Sequence, residues 1–90
     1  MSKVIQLRQV NRLIKQAKSK PVVEVTEQNV HEYDGCLLMS KYSGAILYVR
    51  NGSISYTAKN YFGYRMDVDG RHNHWIRTGF EGKVLKTAVY

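Results

Sequence analysis

Apolar residues recur at Leu7, Val10, Leu13, Ile14 and Ala17, which share one arc of a helical wheel at about 100° per residue. Arg8, Arg12 and Lys15 fall almost opposite. This spacing predicts an amphipathic helix over residues 1–20, with Ser2 available as its cap and Pro21 as its stop. Ile5 lies off the apolar arc, so the first turn is expected to be frayed or to rest against a partner.

After Pro21 the period changes to two. Residues 22–26 read as a first strand, 28–35 as a polar irregular segment ending in the turn pair Asp34-Gly35, and 36–42 as a strand buried on at least one face. Ser43-Gly44 turns the chain into 45–50, where Asn51-Gly52 is the strongest short-range signal in the sequence. It marks a two-residue type I′ hairpin. That register sets Arg50 opposite Ser53, Val49 opposite Ile54 and Leu47 opposite Tyr56. Leu47, Val49 and Ile54 then form a dry face shared with Ala45 and Ala58. Ile46, Tyr48 and Arg50 form a wet one. A second hairpin is expected around Asp69-Gly70, joining 61–68 to 73–79, with its register open. Glu81-Gly82 reads as a last turn into 83–90.

These elements add up to an α+β fold, one N-terminal amphipathic helix packed on a curved antiparallel sheet of five to six strands arranged as a meander. Residues 1–90 are expected to form a single domain, with 1–20 as the helix and 21–90 as the sheet. The helix stripe has a 3-4-3 spacing that a coiled-coil dimer could also use. Packing on the protein's own sheet is the stronger expectation, and with it a monomer.

Charge changes the picture at one place. The chain carries a formal net charge of +7, and residues 1–20 hold Lys3, Arg8, Arg12, Lys15, Lys18 and Lys20 without a single acid. The remaining residues nearly cancel. A solvated helix face normally mixes Glu with Lys at i, i+4, and cations in its last turn complement the helix dipole. Neither habit accounts for Arg8 and Arg12. One-sided basicity of this kind is the electrostatic signature of polyanion binding. The sequence therefore points to a small non-enzymatic binder of nucleic acid or a nucleoprotein. Arg8, Arg12, Lys15 and Lys18 would meet phosphates, and Tyr48, Arg50 and Arg65 would add contacts from the sheet. A second class of function is a protein-binding inhibitor or adaptor, of the kind that phages and mobile elements encode. Its interface would be tyrosines and an exposed strand edge, with the basic ridge aimed at an acidic patch on a host protein.

Other chemistry finds little support. Cys36 is the sole cysteine, which rules out an internal disulfide and fits a small buried hydrophobe. His72 and His74 point the same way on a strand, near Asp67 and Asp69, but no third and fourth nitrogen or sulfur ligand accompanies them, so no metal is expected. The phosphate-cradling, dinucleotide and nucleophile-elbow motifs are absent, and no cofactor is implied. The run Tyr61-Phe62-Gly63-Tyr64-Arg65 is similar in residue types to the aromatic strand of RNA-recognition motifs, whose rings stack on bases. The similarity ends there, because that fold requires a second crossover helix. No apolar run approaches the roughly 20 residues of a membrane-spanning helix. A cytoplasmic location is expected, in a cell or an infected host.

Overall fold

A computed structural model describes residues 4–66, 77 and 79–87 of the chain. Among the described residues the fold is α+β, with an N-terminal helix packed against antiparallel sheets. Strand β1 (Val4–Gln6) leads directly into α1 (Leu7–Ala17). Strand β2 (Val23–Val25) follows Pro21, and a 3-10 turn at Val30–Tyr33 precedes β3 (Leu37–Ser40). Then come β4 (Ile46–Arg50), β5 (Ser53–Tyr56), β6 (Ala58–Lys59), β7 (Gly63–Arg65) and β8 (Phe80–Lys86). Five strands form one sheet in the order β2-β8-β3-β4-β5, and three form another in the order β1-β7-β6.

The Asn51-Gly52 hairpin closes as its residue types require. Both residues have positive φ, 52° and 75°, as a type I′ turn demands. Arg50 pairs with Ser53, Val49 with Ile54 and Leu47 with Tyr56, the register read from the sequence. The Asp34 carboxylate accepts the Asn51 amide at 3.0 Å, and the His31 ring lies against Gly52. The 3-10 segment thus clamps the turn from outside.

Several expectations need correction. The helix begins at Leu7, and residues 4–6 form a strand whose Ile5 pairs with Tyr64 and is buried. Ile5 lies off the helical stripe because it belongs to a different element. Glu81-Gly82 is strand interior. Its Gly82 passes close to the Met39 carbonyl and the Phe80 ring. Ala58 leaves the hairpin and pairs with Arg65 in the small sheet. In the five-stranded sheet the order follows a meander only over β3-β4-β5, since β8 inserts between β2 and β3. The turn of the hairpin expected at Asp69-Gly70 lies outside the described residues; of its expected arms, Gly63–Arg65 is strand β7, paired with β1 and β6, and Arg77 is helical, not extended.

The largest correction concerns the two faces of the main sheet. Side chains alternate across a strand, yet Ile46, Leu47, Tyr48 and Val49 are all buried. Leu47 and Val49 join Val25, Leu38, Ile54 and Phe80 on one side, beside Val30 of the 3-10 turn. Ile46 and Tyr48 join Val10, Ala17, Leu37 and Leu85 on the other, beneath α1. The face expected to be wet is the one that the helix covers. Tyr48 is 1% exposed and is a core residue, not a surface contact. The helix packs against β8, β1 and β7. Its stripe is the one read from the sequence: Val10 and Ala17 are fully buried, and Leu13 and Ile14 pack partly buried beside them.

Candidate nucleic-acid interface

The outer face of α1 is fixed at both ends by bonds to other elements. At its start, Gln6 offers no side-chain cap and the first turn holds no acid. The Leu7 amide, which has no partner within the helix, donates instead to the Phe62 carbonyl at 3.1 Å. At its end, the Lys83 ammonium of β8 donates to the Lys18 carbonyl at 3.2 Å, where a cation also suits the helix dipole. Lys20 reaches back to the Val84 carbonyl at 3.3 Å. The helix is therefore tied to both sheets, with its polar face turned outward.

Arg8, Arg12 and Lys15 stand exposed on that face. With Asn11 they line an open concavity of ≈ 420 Å³. Arg8 to Lys15 spans roughly 10 Å of helix, enough to meet more than one phosphate. Lys18 is exposed just past the helix end. Among the described residues, none of these four side chains takes part in an ion pair; the Lys41–Glu81 pair at 3.4 Å is elsewhere. Two acids are engaged elsewhere: Asp34 accepts the Asn51 amide, and Glu81 accepts from Lys41 and Tyr42.

The other sequence-derived candidates are dispersed. Arg65 is exposed on β7, opposite Val4, in the small sheet that feeds into the helix. Arg50 is exposed at the tip of the β4–β5 hairpin, outside the concavity. Tyr48 is withdrawn from the site by its burial. Sequence reasoning noticed Tyr61 and Phe62 as part of an aromatic strand but left them out of the site. They occupy the turn between β6 and β7, 91% and 73% exposed, with ring centroids 5.4 Å apart and planes at 84°. The available signal was the pair of polar or small residues, Asn60 and Gly63, that brackets them. Close by, the Lys59 ammonium sits 5.8 Å from the centre of the Tyr64 ring.

Elsewhere the chemistry is quiet. Burial, and next the charge of Asp34, pushes the Cys36 thiol above its ordinary range, so it is a protonated core residue. No group of three or more His, Cys, Asp or Glu lies together among the described residues, and His72 and His74 fall outside them. No helix among those residues is long and apolar enough to cross a membrane. The chain matches no protein-family model, and neither a curated protein nor a solved structure is significantly similar to it.

Proposed function

We propose that this protein is a non-enzymatic nucleic-acid binder that lays the phosphate backbone along the outer face of α1. The observation that carries this reading is the row Arg8, Arg12 and Lys15, exposed together over one concavity and without an acidic partner among the described residues. Lys18 extends the row past the helix end. A row of unpaired cations raises the local positive potential, which draws a polyanion toward it. Phosphate contacts of this kind position a backbone without reading sequence. Affinity should therefore depend on salt far more than on base order.

The test is fluorescence anisotropy with a labelled mixed-sequence oligonucleotide over a salt series. Three or four phosphate contacts predict a loss of about 10- to 100-fold in affinity between low and physiological salt. Arg8→Glu with Arg12→Glu should abolish retention. Binding that ignores salt, or survives the double charge reversal, would rule the mechanism out.

A protein-binding inhibitor or adaptor is the second reading, favoured by the exposed rings of Tyr42, Tyr61 and Phe62. Affinity capture from cytosol with and without nuclease separates the two. Partners lost on nuclease treatment belong to the first reading, and a stoichiometric protein partner that persists belongs to the second.

A further inference from the structure

The turn at Tyr61-Phe62 has a composition that its backbone does not require. Two-residue hairpin loops favour Gly, Asn and Asp where φ is positive. Among the described non-glycine residues only Asn51 has positive φ, so positions 61 and 62 accept almost any side chain. Two large rings stand there nonetheless, exposed side by side.

The turn is also held firmly. The Asn60 side-chain oxygen accepts the amides of Phe62 and Gly63, both at 2.9 Å, and the Asn60 amide donates to the Gly63 carbonyl at 2.8 Å. From the far side the Leu7 amide donates to the Phe62 carbonyl. A turn anchored in this way loses little backbone freedom when a ligand meets its rings.

The same Leu7–Phe62 bond fixes where the rings stand. They lie at the start of α1, with Arg8 the next residue along. The helix and the strands β1, β6 and β7 contain no Asp or Glu, while Arg8, Arg12, Lys15, Lys59 and Arg65 are exposed on them. An aromatic tip flanked by elements that carry cations and no acid matches a ligand with both π-faces and anionic charge. A nucleobase on its phosphate backbone has both. Within a duplex, base faces are covered by their neighbours and only edges are open. A ring can stack face-on only against an unpaired base. The near-perpendicular rings allow one to take the base face while the other abuts its edge.

We infer that the Tyr61-Phe62 turn is a base-stacking element and that the partner is single-stranded nucleic acid, its phosphates along Arg8, Arg12 and Lys15 and an unpaired base against the turn. This rests on the cationic-face reading above and adds the strandedness of the ligand to it.

The experiment compares a labelled single strand with its own duplex, for the wild-type chain and for Tyr61→Ala with Phe62→Ala. The wild type should prefer the single strand by about tenfold or more. The double substitution should erase that preference by weakening the single strand alone, leaving the duplex affinity, the salt dependence and the thermal melt unchanged. Phe62→Trp should retain affinity, with indole fluorescence quenched by the strand. Equal affinity of the wild type for strand and duplex, still falling with salt, would overturn the stacking role and leave the cationic face standing. So would a preference that survives the double substitution. Absence of binding to either oligonucleotide would remove both proposals. Ring-dependent binding to vesicles of phosphatidylcholine and phosphatidylserine, without binding to the strand, would overturn the inference and assign the turn to a membrane surface.

Discussion

Leu37 and Tyr48 face each other across the β3–β4 ladder, and both are closed off beneath α1. A tyrosine so placed fills volume that nothing else can occupy. Tyr48→Ala is expected to cost about 3–5 kcal/mol, the range for removing a large ring from a packed core. Urea unfolding measures it. Any loss of binding in this variant would accordingly report unfolding, not a missing contact.

The cations of the helix face are expected to behave in the opposite way. Arg12→Ala or Lys15→Ala removes an exposed side chain that has no ion-pair partner among the described residues. The melting temperature should shift by no more than about 2–4 °C, since surface changes of this type fall within about ±0.5 kcal/mol. Each variant should lower the slope of log affinity against log salt by about 0.7–0.9. Anisotropy titrations and thermal melts on the same samples check both halves.

Gly63 joins the small sheet to the helix. A Cβ there would run into the Ile5 carbonyl, and backbone has little room to yield. Gly63→Ala should separate β1 from β7 and deprive the Leu7 amide of the Phe62 carbonyl. A loss of about 1–3 kcal/mol is expected, typical of overpacking. Hydrogen exchange at Leu7 should accelerate in the variant more than exchange in β4. Equal protection of Leu7 in variant and wild type would contradict this account.

Glu81 provides a test by titration. The Tyr42 hydroxyl donates to its carboxylate at 2.9 Å and the Lys41 ammonium at 3.4 Å, which together hold its carboxyl below the usual range, Tyr42 first. The same bond, with the negative charge of Glu81, holds the Tyr42 phenol above its usual range. A lowered carboxyl contributes stability above its unfolded value that disappears as pH falls through its folded value. A raised phenol contributes stability below its unfolded value that disappears as pH rises through its folded one. The tie should be complete from mildly acidic to mildly alkaline pH. Tyr42→Phe should return the Glu81 titration, followed by carboxyl NMR, toward the ordinary carboxylate range.

Much of this fold is written locally in the chain. The helix stripe, the Asn51-Gly52 register and the turns at Asp34-Gly35 and Ser43-Gly44 each rest on neighbouring residues, and each appears where the pattern put it. Tyr48 was misplaced because alternation assigns a residue to a face without saying what covers that face. The run of four apolar residues from Ile46 to Val49 was the sign that both sides are dry. Glu81-Gly82 resembled a turn because Gly82 is required by a close approach of Met39 and Phe80. The cationic row was legible because a helical period sets it. The aromatic residues were visible too, but not their position beside that row, because Gln6 meets Gly63 only through the pairing of β1 with β7, distant in sequence.

The placement of β8 between β2 and β3 has a bearing on how the protein is made. On the ribosome, β2 and β3 emerge long before the strand that must lie between them, so the nascent chain holds two unpaired edges until residues 80–86 have left the tunnel. Consolidation of the main sheet is therefore a late, all-at-once step, slow in the manner of long-range strand pairing. Until it happens, the growing polypeptide is a natural client for chaperones that shield open strand edges.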